Sequence, residues 1–247
     1  VAWAFWVGDL SAREARRGTH HLAHRRCRDC RLSKPAGLRP APVCEDEREL
    51  ADMNYLLMLV ASYLLGSVSF AVVVSRLMNL PDPHSYGSGN PGATNVLLSG
   101  SRVAAALTLL GDAAKGWLAV VLMQLLSTGD SREVWSGSMA AWAGLAAFLG
   151  HIYPVFHRFA GGKGVATLIG VTLALSPPLA LFAMASWLLI VAAMRHSPLL
   201  ALAGTLLTPA YSCWALGYCE ATLAILVMNA IVIYRHLPNM RASTAAG

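Results

Sequence analysis

The sequence predicts an all-α, polytopic membrane protein: a seven-helix bundle, or, as a fallback count, five spanning helices plus a re-entrant pair. Three observations lead there. Of 247 residues, 56% are hydrophobic and 13% charged, with a mean hydropathy of +0.52, far too little polar surface to coat a water-soluble domain. The charges are segregated, because residues 1–52 hold ten of the 19 Lys+Arg and eight of the 13 Asp+Glu. The rest of the chain is a succession of long apolar runs joined by short polar connections, two of them rich in glycine.

Residues 1–52 begin with a short apolar stretch and pass through an Arg-rich segment to the acidic cluster Glu45, Asp46, Glu47 and Glu49. No positive region precedes the apolar stretch, so it does not parse as a secretory signal. Cys27 and Cys30 have zinc-ligand spacing, with His20, His21, His24 and Cys44 nearby, but a structural zinc site needs a second ligand pair and the segment has none. No metal is expected. This segment is read as a disordered or non-native leader, with Met53 a candidate start and residues 53–247 the membrane domain. Cys213 and Cys219 lie in an apolar run, and no disulfide framework is visible.

Residues 53–75 carry no formal charge over 23 positions, enough to cross roughly 30 Å of hydrocarbon at about 1.5 Å per residue. Arg76 ends this first span. Residues 103–126 form the second, interrupted by Asp112 and Lys115, three apart and hence on one helix face. Ionisable groups at membrane depth are costly and usually mark function. Lys115 is read as near substrate with Asp112 as its orienting partner; the plainer alternative is an ion pair that only locks packing. Residues 134–156 are the third span, closed by His151-Ile152-Tyr153-Pro154. A lone histidine on an apolar helix is more often a packing residue, yet His151 precedes the second glycine loop by ten positions, which makes it a catalytic candidate as well. Residues 165–194 are uncharged and broken at Ser176-Pro177-Pro178, because proline disfavours helix continuation. Residues 197–219 and 221–234 supply the last two segments.

The basic residues after Met53 are scattered singly, so the formal charge of +6 points to membrane orientation and not to nucleic acid. Arg76, Arg102, Arg158, Lys163, Arg195, Arg235 and Arg241 fall on one side of the predicted topology; Asp130, Arg132, Glu133 and Glu220 fall on the other. The positive-inside tendency makes the first side cytoplasmic, which puts both glycine loops and the C-terminus inside and residue 53 outside. An Arg-rich leader outside would break the same rule.

The chemistry is expected in the two loops. The first is Gly87-Ser88-Gly89-Asn90-Pro91-Gly92-Ala93-Thr94-Asn95, and the second Gly161-Gly162-Lys163-Gly164. Glycine tolerates positive φ and has no Cβ, so backbone N–H groups can converge on an anion while Ser, Thr, Asn and Lys add donors or charge. Glycines that merely permit helix packing recur at four-residue spacing inside apolar helices, whereas these lie in polar connections. No Walker sequence is present, so nucleotide hydrolysis is not expected. Two phosphate cradles on one face suggest a transferase with phosphorylated substrates, at least one of them a lipid.

Several motifs together, in order and spacing, resemble the bacterial acyl-phosphate:glycerol-3-phosphate acyltransferases. They are Leu65-Gly66-Ser67-Val68-Ser69-Phe70, the loop Gly87 to Asn95 with Val96-Leu97, Asp112-Ala113-Ala114-Lys115-Gly116, Leu149-Gly150-His151-Ile152-Tyr153-Pro154-Val155-Phe156, Gly161-Gly162-Lys163-Gly164-Val165-Ala166-Thr167, and Tyr234-Arg235-His236 with Asn239. The resemblance covers residues 54–241 and implies transfer of a fatty acyl group from acyl phosphate to the 1-hydroxyl of glycerol 3-phosphate, with no cofactor. It puts Ser88, Asn90 and Asn95 at the reacting centre, with Lys115 and His151 beside them. Gly87, Gly89, Gly92, Thr94, Gly161, Gly162, Lys163, Gly164, Thr167, Ser197, Arg235, His236 and Asn239 are assigned to the substrate phosphates and the acceptor site. The partners expected are the two substrates and membrane lipid, with the protein a monomer.

Three positions depart from that pattern. Leu98 stands where the family has an arginine, with Arg102 four residues on; Pro198 replaces a serine, with Ser197 one position early; and the family's glutamate after Asn239 is missing. Each removes a polar contact, so a catalytically weakened homologue or a non-catalytic scaffold is the alternative. A small transporter is another, disfavoured because carriers show matched broken helices in two halves and no internal repeat is apparent here.

Overall fold

The computed structural model describes residues 45–126, 132–193, 200–217 and 219–245. The leader up to residue 44, Asp130, and the stretch with Arg195, Ser197 and Pro198 lie outside the described residues. Every regular element described is helical. In chain order these are α1 (Glu45–Ser67), α2 (Phe70–Leu77), α3 (Ala93–Leu97), α4 (Arg102–Leu126), α5 (Arg132–Ile152), a 3₁₀ turn (Val155–His157), α6 (Val165–Leu175), α7 (Pro177–Ala193), α8 (Leu200–Leu216) and α9 (Glu220–Ala245).

The apolar runs become helices whose outer faces are greasy. Leu107, Leu110, Trp117, Leu118, Leu122 and Leu125 on α4 are all exposed, an arrangement stable only where lipid replaces water. Inside, Val120 and Met123 of α4, Phe148 and Ile152 of α5, Leu168 and Val171 of α6, and Ile225, Met228 and Val232 of α9 form one core. Helix α5 is its hub, packing against α1, α4, α6 and α9. Small residues set the closest approaches. A Cβ on Gly66 of α1 would overlap the backbone of Ala147, and one on Gly150 of α5 would overlap the carbonyl of Tyr63, so α1 and α5 lie backbone against backbone.

The first span differs from its expectation as one continuous helix over 53–75. The chain leaves helical geometry at Val68 and Ser69, and Met53–Ser67 meets Phe70–Leu77 at 45°. The freed carbonyl of Val68 is not orphaned, because Lys115 Nζ donates to it at 2.7 Å. A charged donor from a neighbouring helix thus supplies the hydrogen bond that a break at this depth would lose. The break expected near Ser176 is present: Ser176 is extended (φ −155°, ψ 94°), and Pro177 opens α7 at the position where its missing N–H costs nothing. The last helix runs past residue 234 to Ala245 with Pro238 inside it.

Among the described residues, three helical stretches, Arg102–Leu126, Ser138–His157 and Glu220–Pro238, are long and apolar enough to span a bilayer, and the bent pair α1–α2 makes a fourth if taken as one crossing. Helix α6, with 11 residues, reaches only about 16 Å.

Candidate active site

The first loop, residues 81–92, is folded around the side chain of Asn95. Asn95 is buried on α3, and its Nδ2 donates to the carbonyls of Pro83 (2.7 Å) and Tyr86 (3.2 Å). Its Oδ1 accepts the backbone N–H of Ser88 at 3.0 Å and lies 3.5 Å from the Ser88 hydroxyl. Both amide hydrogens are therefore spent inside the loop. Gly87 is required here twice over, since it sits at φ 59° and a Cβ on it would overlap Asn95 Oδ1. Gly89 also takes a left-handed φ of 67°. Asn90 curls back on Ser88, its Nδ2 donating to the Ser88 carbonyl at 3.3 Å. Ser88 and Thr94 face outward, and Gly92 precedes the first turn of α3.

The second loop is seated on the end of α5. The N–H of Gly162 donates to the His151 carbonyl at 3.2 Å, and a Cβ on Gly161 would overlap that same oxygen. Arg235, reaching across from α9, donates from Nη2 to the carbonyls of Gly161 (2.8 Å) and Gly162 (3.2 Å), with its guanidinium carbon 5.9 Å from the centroid of the Tyr153 ring. The carbonyl side of the loop is thereby taken by Arg235. Gly164 turns the chain at φ 86° into α6. Lys163 is half-buried, and desolvation, reinforced by the nearby Arg235 charge, lowers the pKa of its amine below the ordinary lysine value. A cation poised this way gains most from an arriving anion. Thr167, one turn along α6, is fully buried, and its hydroxyl has no partner among the described residues. On α9, His236 Nδ1 lies 2.8 Å from the Val232 carbonyl and so carries its hydrogen there, which leaves Nε2 as an acceptor. The backbone of Asn239 belongs to α9, but its side chain lies outside the described residues, as does Ser197.

The two loops meet. Gly162 lies in the seam between them, where a Cβ would overlap the His151 ring and come to 2.9 Å from the carbonyl oxygen of Pro91 in the first loop. A second link, from His84 Nε2 to the Ala160 carbonyl at 3.2 Å, was not foreseen from the sequence. Its signal was slight, a lone histidine among Pro81, Asp82 and Pro83.

Beneath the seam lies a buried polar trio. Lys115 Nζ is 2.9 Å from Asp112 Oδ1, and His151 Nδ1 lies 3.4 Å from the same oxygen. The Lys115 side chain is 1% exposed, with its ammonium directed to Asp112 and the Val68 carbonyl. The trio joins α4, the end of α5 and the break between α1 and α2, and through His151 it supports the second loop.

Against known proteins, residues 56–246 match the family described as Glycerol-3-phosphate acyltransferase. A glycerol-3-phosphate acyltransferase of Ralstonia nicotianae is 56% identical over 181 residues, covering 73% of this chain and 86% of the relative. One of Cupriavidus necator is 52% identical over 188 residues, 76% of this chain and 92% of the relative. Among solved structures, the crystal structure of PlsY, an integral membrane glycerol 3-phosphate acyltransferase, is similar in its glycerol 3-phosphate form, with a TM-score of 0.69 and 34% identity over 78% of this chain and 93% of that one. Its lysophosphatidic acid form gives a TM-score of 0.67. With the family match running over most of the chain and relatives more than half identical to it, this chain belongs to the glycerol-3-phosphate acyltransferase family.

Proposed function

We propose that this protein transfers a fatty acyl group from acyl phosphate to the 1-hydroxyl of sn-glycerol 3-phosphate, giving lysophosphatidic acid and inorganic phosphate. The observation that supports this reading is the seam at Gly162, where the two glycine-rich loops meet. A donor and an acceptor that each carry phosphate need two such pockets within reach of one reacting pair.

Acyl phosphate is a mixed anhydride and already activated, so no acyl-enzyme is required. The acceptor hydroxyl oxygen attacks the acyl carbonyl carbon, the bond from that carbon to the bridging oxygen breaks, and the departing phosphate takes the hydroxyl proton on one of its oxygens. What the protein supplies is attack geometry, which can contribute several kcal/mol, and charge for the leaving phosphate. Ser88 and Asn90 act at the reacting centre. Asn95 acts through the loop it holds together, and Lys115 and His151, joined through Asp112, through the support they give the second loop. Lys163, Thr167 and the loop amides take phosphate, with Arg235, His236, Ser197 and Asn239 ordering the acceptor side.

The catalytic unit is residues 53–247, a monomer of seven membrane segments or of five with a re-entrant α6–α7 pair, lying in a bacterial inner membrane with both loops and the C-terminus on the cytoplasmic side. The distribution of basic residues supports that orientation. The test is purified protein given palmitoyl phosphate and radiolabelled glycerol 3-phosphate. Labelled lysophosphatidic acid from the wild type, reduced in Lys163→Ala, is the expected result. No product from well-folded wild type would overturn the reading.

A further inference from the structure

The turn that delivers the second loop is strained. Arg158 (φ 52°) and Phe159 (φ 61°) take left-handed backbone conformations in succession, with no glycine at either position, a geometry in which a Cβ crowds the following carbonyl oxygen. Such turns persist only where neighbouring structure over-determines them. Within the turn, the N–H of Phe159 donates to Pro154 at 2.9 Å and that of Ala160 to His157 at 3.0 Å. The loop that follows is held by the His151 carbonyl and by Arg235, and the turn itself gains a further link from the other loop, through His84.

The geometry of His84 specifies its state. Asp82 Oδ1 accepts the His84 backbone N–H at 2.9 Å and lies 2.8 Å from ring Nδ1, while Nε2 lies 3.2 Å from the Ala160 carbonyl. A carboxylate and a carbonyl both accept, so only a ring with hydrogen on both nitrogens satisfies both. When one proton leaves, the charge-assisted bond to Asp82 is the stronger and keeps the remaining hydrogen. The link lost is then the one to Ala160, where two lone pairs would face each other. The charged and titratable groups around the ring are Asp82 on its own loop, Arg76 at the end of α2, and His157, whose ring centroid is 6.0 Å away.

We propose that His84, as an imidazolium, is a positioning residue that clips the first glycine loop to the strained turn ahead of Gly161-Gly162-Lys163-Gly164 and so holds both phosphate cradles in binding register. This rests on the acyl-transfer reading for its kinetic consequence and on the bond pattern alone for its structural one. Loss of the clip lowers the fraction of molecules in binding register, which raises apparent dissociation constants for both substrates by the same factor. Mere destabilisation would instead lower the active fraction, and with it kcat.

The experiment uses the full chain in detergent, with palmitoyl phosphate and glycerol 3-phosphate, between pH 5.5 and 8.5. His84→Phe keeps the ring shape without donors, and His84→Gln keeps a donor that does not titrate. At the acid end His84→Phe should raise both KM values together, each measured with the other substrate well below saturation, by about three- to tenfold, the range of one hydrogen bond, with kcat within about twofold of wild type. The ratio of wild-type KM to that of His84→Gln should rise with pH, a comparison in which titration of the substrate phosphates cancels. Unchanged KM values in His84→Phe, a rise for one substrate only, or a wild-type to His84→Gln ratio flat with pH would overturn the proposal. If His84→Phe does not fold, the His84→Gln pH profile decides. If no variant or wild type turns over, the acyl-transfer reading has failed, and the clip is judged by amide hydrogen exchange of residues 158–164. Faster exchange in His84→Gln than in wild type at pH 8.5 would overturn it, as would equal rates in the two at that pH; slower exchange there supports it.

Discussion

If the glycine loops hold phosphate as proposed, Lys163 and Leu98 are the two side chains whose replacement reports most directly on anion capture. Lys163 has its pKa lowered by burial beside Arg235, so in the unloaded site its ammonium loses its proton at a lower pH than an exposed lysine would. Affinity for phosphate should therefore be full below that pKa and fall as pH rises through it. Lys163→Arg, charged throughout, should push this alkaline fall of kcat/KM to higher pH, and Lys163→Ala should cost roughly ten- to a hundredfold, the range of a charge-assisted hydrogen bond. Both are read from initial rates across pH. Leu98 is 67% exposed, and a Cβ on Gly87 would reach its Cδ1, so an apolar side chain overhangs the first cradle. Leu98→Arg should lower the acceptor KM by about threefold to tenfold, and an unchanged KM would remove this position from the acceptor site. Neither glycine loop needed coordinates to be found, because glycine, asparagine and lysine in polar connections announce backbone anion sites. The duty of Asn95 did need them. A carboxamide that binds substrate and one that braces its own loop are the same residue in a sequence, and only its contacts with Ser88, Pro83 and Tyr86 tell them apart.

Helices α1, α2, α4 and α5 are tied together by the Asp112–Lys115–His151 trio. Removing one charge of a buried pair leaves the other uncompensated, which costs about 3–5 kcal/mol. Lys115→Met should accordingly lower Tm sharply in detergent, while the double variant Asp112→Asn/Lys115→Met should recover part of the loss. Additive losses in that cycle would show that the two charges do not act as a pair. The break between α1 and α2 was hidden in the sequence for a physical reason. Nothing in Ser67-Val68-Ser69 forbids helix, and the group that stabilises the open turn, Lys115, lies 47 positions away. The break at Ser176 was legible because Pro177 and Pro178 enforce it locally. Boundaries set by local chemistry were readable, and those set by a distant partner were not.

Across the whole molecule, the apolar exterior and the asymmetric distribution of basic residues bear on how the bundle sits in its bilayer. If both loops face the cytoplasm, as proposed, a cysteine introduced as Ser88→Cys, in a background with the native cysteines replaced by serine, should react with a membrane-impermeant maleimide only after cell lysis. Labelling of intact cells would reverse the assigned orientation. The class of fold was plain from composition and apolar run length, whereas the way α5 gathers α1, α4, α6 and α9 around itself depends on glycine contacts such as Gly66 on Ala147, which leave no periodic trace. The sealed position of the Lys115–Asp112 pair carries one more consequence. Dissolved ions shorten the reach of electrostatic forces to about 3 Å at 1 M ionic strength, but only where ions can go. Adding salt should thus weaken capture of substrate at half-exposed Lys163 while leaving the melting temperature nearly flat, so that a potassium chloride titration separates the charges that recruit from the charges that brace.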